Sequence, residues 1–213
     1  MFLFSHMFKT YFKIPTLFLL SLVLGFFIQS FYKSFFQLLA LFPRNLQHLP
    51  GIFGMVFLHS NLMHLLSNLL PLSICLYGIY FFYNTIATKI LLTNWFFSGL
   101  FIWLLARPSF HIGASGLVYA LIFFILISGL IRKNKQLLVF AFINLTLQSG
   151  LIWGMVPQDN QISWESHLIG GIVGSALAIL YRKQGPQRDR NHFSKDEETD
   201  DGEDEYERVV DHF

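Results

Sequence analysis

Acidic residues are almost missing from the first 184 positions of this chain. Of thirteen Asp and Glu among 213 residues, only Asp159 and Glu165 precede position 185, and the other eleven crowd into the C-terminal end. Charge of either sign is scarce, at 13% of residues. The net charge of +2 therefore averages a weakly basic apolar body and an acidic tail. No basic stripe accompanies it, which argues against a nucleic-acid partner. Cysteine occurs once, as Cys75. One cysteine makes no internal disulfide, and inside an apolar run it reads as a small packed hydrophobe. The alternating polar pattern of a membrane barrel is absent, as is any internal repeat. The N-terminal stretch "MFLFSHMFKTYFKIP" lacks a compact signal with a small-residue cleavage site, so the apolar run after it is expected to stay as a membrane anchor.

What fills the chain is apolar. Hydrophobic residues make up 54%, aromatic residues 17%, and Phe alone occurs 25 times. A soluble domain of this size is rarely so greasy. Crossing a bilayer takes about 20 mostly apolar residues, and six stretches qualify, at 14–32, 58–83, 89–106, 113–131, 136–156 and 164–181. Backbone groups in lipid must be satisfied internally, so each is expected to be a helix, with Pro71 bending or loosening the second. Lys9, Lys13, Lys89, Arg132, Lys133, Lys135, Arg182 and Lys183 fall on one side of such a protein, and Lys33, Arg44 and Arg107 on the other. The richer side should be cytoplasmic, which puts both termini there. The organisation expected is a cytoplasmic segment at 1–13, a membrane domain at 14–183 and an acidic tail at 184–213. The link at 33–57 keeps many Phe, Leu and Pro residues and is expected to be structured, lying partly in the outer interface. The tail, "GPQRDRNHFSKDEETDDGEDEYERVVDHF" from Gly185, is charged and apolar-poor, and disorder is expected there.

Polar residues at membrane depth are costly and ask for a reason. Ser115 sits in "HIGASGLVYA", between Gly113 and Gly116, at the start of the fourth span. A serine there is readily a small packing residue. Its flanking glycines also let backbone approach, and free N–H groups at a helix start can hold an oxyanion. A serine nucleophile needs a base. His167, at matching depth in the sixth span, is the candidate, although alone it reads as a packed histidine. Gly170 and Gly174 after it form a GxxxG face that permits tight contact with the fourth span. Tyr119, one turn beyond Ser115, is placed to pack its ring on His167 or to be an ordinary interfacial tyrosine. In the second span His64 and Asn68 are spaced i, i+4 and share a face. Both donate hydrogen bonds, as a developing carbonyl oxyanion requires. His59 and His64 do not share a helix face and have no carboxylate or cysteine near in sequence, which argues against zinc. Glu165 lies about 200° around the helix from His167 and reads as an outer-interface residue rather than as an orienting acid.

Taken together, these residues resemble the rhomboid family of intramembrane serine proteases. The resemblance runs over roughly residues 45 to 182. It rests on His59, His64 and Asn68 (H-x4-H-x3-N), on Gly113 to Gly116 with Tyr119 beyond, and on His167, Gly170 and Gly174, in order on spans two, four and six. It implies an all-α, six-helix rhomboid-like bundle. Ser115 would be the nucleophile and His167 the general base of a dyad without an acidic third member. His64, Asn68 and the Ser115 N–H would form the oxyanion hole. Tyr119 would stack on His167, and His59 would be structural. No metal or cofactor is implied. The substrates would be membrane-spanning proteins, cut near the outer end of a helix, with the lipid bilayer as the other partner. The chain departs from the family pattern at Pro50-Gly51, where Trp-Arg is common in the first loop, and at Ser166, where alanine is common. A bacterial plasma membrane is the expected location.

Two other functions are kept open. An inactive rhomboid-like protein would bind membrane helices as a chaperone or quality-control factor, but such relatives typically lack the dyad. A proton-coupled transporter using His64 and His167 would want acidic residues inside the spans, and none lies well inside.

Overall fold

The computed structural model describes residues 2–147, 153–156 and 163–186. Among them every regular element is helical: α1 (Phe2–Gln29), α2 (Lys33–Leu39), α3 (Gly51–Gly54), α4 (Leu62–Phe82), α5 (Ala87–Leu105), α6 (Ser115–Arg132), α7 (Lys135–Leu147) and α8 (Trp164–Leu180). Single 3-10 turns lie at Leu46–His48, Met55–Phe57 and Trp153–Met155. The expected acidic tail falls outside the described residues from 187 onward.

Four helical stretches are long and apolar enough to cross a membrane: Tyr11–Gln29 within α1, α4, α5 and α6. Of the other two expected spans, α8 has 17 residues and matches 164–181, and α7 is described over 13 residues, up to 147 where the described residues stop. At the other end of the chain, α1 starts far ahead of the expected edge at 14, since residues 2–13 are apolar enough to extend it. α4 stays helical through Pro71, although the missing N–H removes one internal bond.

The helices surround α6, whose length is two-thirds buried. Its inner residues include Leu117, Leu121, Phe124 and Ile125. α8 packs closest. A Cβ placed at Gly170 would overlap the Gly116 carbonyl, and one at Gly174 would overlap that of Ala120. Only glycine lets the two backbones approach this far. The outward faces carry exposed Leu66, Leu70 and Phe81 on α4 and Ile172, Ile179 and Leu180 on α8. Apolar surface this extensive suits lipid rather than water.

The connection from α1 to α4 is ordered, as expected. Arg44 reaches the C-terminal carbonyls of α5, donating to Leu104 O at 3.1 Å and Ala106 O at 2.9 Å. Trp103 Nε1 donates to Asn45 O at 3.2 Å. Pro50 caps α3, and a Cβ at Gly51 would lie 2.5 Å from Leu41 Cα. The Pro50-Gly51 departure thus makes room for two loop strands to touch. Leu41 also forms an isolated antiparallel bridge with His111, which ties this connection to the one between α5 and α6.

Candidate active site

Ser115 is the first residue of α6, and no side chain caps the helix. The first N–H groups of an uncapped helix stay available to a ligand. Gly113 turns the chain into this position with φ of +102°, a conformation that glycine adopts freely. Its N–H donates to Met55 O at 2.8 Å. A side chain here would also collide, since a Cβ would sit 2.6 Å from His64 Nε2. The glycine therefore lets the imidazole of α4 come up against the backbone just before Ser115.

His64 is set by its own helix start. Asn61 caps α4, accepting the His64 N–H at 2.9 Å. The Ser60 N–H donates to His64 Nδ1 at 3.4 Å, and the Ser60 hydroxyl lies 3.2 Å from the same nitrogen. A backbone N–H only donates, so Nδ1 accepts and the proton sits on Nε2. That N–H faces the Gly113–Ser115 turn. One turn deeper, buried Asn68 uses one amide hydrogen on the His64 carbonyl at 2.7 Å. Its second hydrogen remains for another acceptor.

His167 lies in the first turn of α8. Its ring stacks on Tyr119, with centroids 4.2 Å apart and planes 4° from parallel. Its Nδ1 lies 2.8 Å from the carbonyl oxygen of Gly154, in the turn Trp153–Met155. A carbonyl only accepts, so Nδ1 carries the proton and Nε2 keeps a lone pair, the tautomer a general base needs. Gly154 is required at that point. A Cβ would stand 2.5 Å from Tyr119 Oη and 3.1 Å from His167 Nδ1. Sequence reasoning missed this group, because a backbone carbonyl leaves no side-chain signal. Ser115 Oγ makes no hydrogen bond among the described residues. Catalytic hydrogen bonds are often long before substrate binds.

The structure brings Ser115, Gly113, Gly116, Tyr119, His64, His167 and Gly170 to one end of the bundle, with Gly174 and Asn68 a turn or more deeper. His59 is 2% exposed, its ring meets that of His64 edge-on with centroids 5.0 Å apart, and neither ring nitrogen has a partner. Burial, with help from His64, pulls its pKa down to about 4. Among the described residues no group of three or more His, Cys, Asp or Glu is placed to hold a metal. Glu165, expected at the outer interface, is only 8% exposed and pairs with Arg107 Nε at 3.2 Å. The guanidinium from the α5–α6 connection supplies the charge partner that a largely buried carboxylate needs.

Long lipid-facing helices around a polar cluster at one end, where Tyr119 stacks on His167, define a multi-pass integral membrane protein. The family model of the rhomboid domain matches residues 46–184, and the chain belongs to the rhomboid family. It is similar to uncharacterized proteins of Mycobacterium bovis and Mycobacterium tuberculosis, at 33% identity over 147 residues, covering 61% of this chain and 59% of theirs. An uncharacterized protein of Mycobacterium leprae is 30% identical over 134 residues, covering 58% of this chain and 52% of its own. The chain thus spans little more than half the length of these relatives.

Proposed function

We propose that this protein is an intramembrane serine endopeptidase acting through Ser115 and His167. The observation that carries the reading is the state of the His167 ring. It is stacked on Tyr119, protonated at Nδ1 by its bond to the Gly154 carbonyl, and left with an accepting Nε2 on the side of α8 that packs against the Ser115 turn.

In this mechanism Ser115 Oγ attacks the scissile carbonyl carbon while His167 Nε2 takes the hydroxyl proton. The carbonyl oxygen becomes an anion and is received by the Ser115 N–H, the His64 Nε2–H and the free amide hydrogen of Asn68. The C–N bond then breaks, and His167 returns its proton to the departing amine. Water attacks the acyl ester with the same base, which frees the serine. The hydroxyl, imidazole and three donors suffice, and no cofactor takes part.

The substrates are membrane-spanning proteins presented from the bilayer. A peptide bond inside a helix is shielded by its own hydrogen bonds, so the preferred sites carry small residues with helix-weakening residues nearby. The short helices α7 and α8 cross with the four long ones, giving six passages. The basic residues near the Arg132 end support a topology with both termini in the cytoplasm and the Ser115 end toward the outer leaflet of a bacterial plasma membrane.

The test is labelling by a fluorophosphonate. The wild type is expected to be labelled at Ser115, with Ser115→Ala unlabelled and His167→Ala strongly slowed. A folded wild type that stays unlabelled points instead to a protein that binds membrane helices without cutting them.

A further inference from the structure

His111 holds more contacts than a loop residue needs. It is 1% exposed, and its backbone pairs both ways with Leu41, at 2.8 and 3.1 Å. Its Nε2 lies 3.2 Å from the Arg107 carbonyl and 3.4 Å from Ser109 Oγ. The carbonyl only accepts, so Nε2 carries the proton and Nδ1 is the acceptor. Nδ1 lies 2.5 Å from Ser163 Oγ and 3.3 Å from Ser166 Oγ. The two serine hydroxyls are themselves 2.5 Å apart.

The serines stand at the start of α8, and Ser166 immediately precedes His167. Ser163 occupies the N-cap position, yet its side chain makes no capping bond. A serine at this position ordinarily caps the first free N–H groups of the helix. Here the hydroxyl is directed to His111 instead. On the other flank, His111 lies four residues before Ser115, in the turn that Gly113 fastens to Met55 O at 2.8 Å. The Arg107–Glu165 pair, at 3.2 Å, joins the same two segments from the side. Ser166 O lies 3.2 Å from the Cβ position of Gly116, so the segments touch right behind the two reactive side chains.

We infer that His111, with Ser163 and Ser166, is a positioning group that sets the segment carrying Ser115 against the helix turn carrying His167. The inference rests on the protease reading. Without the imidazole, the α8 start loses its hydrogen-bonded tie to the Ser115 loop, and a displacement near 1 Å costs about 100-fold in rate. Ser166 then has a role of its own: an alanine there lacks the hydroxyl that closes the triangle.

The experiment uses the full chain in proteoliposomes, with a single-span reporter and the fluorophosphonate as probes. His111→Ala is expected to lower kcat and the rate of Ser115 labelling by about 10- to 100-fold, with KM changed less than about threefold. Both rates are read well below the unfolding temperature of each variant. His111→Asn keeps an acceptor oxygen near the Nδ1 position and should recover most of the labelling rate. Ser166→Ala alone should be slower than wild type, yet add less than about twofold to His111→Ala, because contacting residues acting as one unit are not additive. Wild-type rates in His111→Ala would overturn the inference. So would equal losses in His111→Asn and His111→Ala, or losses that simply multiply in the double variant. A wild type unlabelled at Ser115 would overturn the protease reading itself, and the inference with it. A labelled wild type with an unaffected His111→Ala overturns the inference alone.

Discussion

Replacing Gly174 by alanine adds one methyl group and should remove most of the activity. The added Cβ would stand 2.7 Å from the Ala120 carbonyl carbon and 3.0 Å from its Cα, with the carbonyl oxygen closer still. Ordinary contact begins near 3.4 Å, so α8 must back away from α6 by at least about 0.7 Å, and both neighbours are backbone that cannot rotate aside. His167 rides two turns up the same helix and moves with it. A shift approaching 1 Å at a reacting group costs about 100-fold, so kcat should fall by roughly 10- to 100-fold, with overpacking costing a further 1–3 kcal/mol of stability. Gly171→Ala is the internal control. Its Cβ would meet the flexible end of Met155 at 3.0 Å and the ring of Phe123 at 3.4 Å, and these side chains can adjust. The assay is reporter cleavage in proteoliposomes alongside the unfolding temperature of each variant. If Gly174→Ala cuts and unfolds like wild type, or if Gly171→Ala suffers equally, the close backbone contact of α6 and α8 does not set the site.

Other expectations follow from single contacts. Asn68→Ala removes a donor to the developing oxyanion and should lower kcat by about 100- to 1,000-fold while leaving KM nearly unchanged, which steady-state kinetics resolves. Gly113→Ala must strain a φ of +102° and strike His64 Nε2, so the labelling rate of Ser115 should fall by more than about tenfold; an unchanged rate would contradict the turn geometry. Unfolding should depend on His59. Unfolded, it binds a proton near pH 6.5, but folded only near 4. Between those values the unfolded chain holds more protons, so stability drops as the pH is lowered from about 6.5 and levels off below about 4. Thermal unfolding of the Ser115→Ala protein should show that slope, and His59→Asn should flatten part of it; equal slopes would refute the buried neutral ring.

The helices were legible because membrane hydropathy is a strong signal, and α4, α5 and α6 lie within a few residues of their expected edges. The expected span at 136–156 runs past residue 147, where the described residues stop. The grouping of Ser115, Tyr119 and His167 was readable because small residues at Gly116, Gly170 and Gly174 mark where helices approach. Gly154 was not, since what matters there is a carbonyl that every residue type carries. His111 was visible in the same short stretch as Ser115 but had no partner within reach in sequence; Ser163 and Ser166 arrive only through the fold. Glu165 was read as an outer-interface residue, and its ion pair was not legible because Arg107 lies in the connection between α5 and α6, 58 positions earlier.

The most direct test of the dyad is cleavage of a single-span reporter, carrying a small residue and a Gly-Ala break near its outer end, by purified protein in proteoliposomes. The dyad requires a product of defined mass that forms with wild type and is absent with Ser115→Ala. The same product from both proteins would contradict it, as would a folded wild type that neither cuts the reporter nor takes a fluorophosphonate at Ser115.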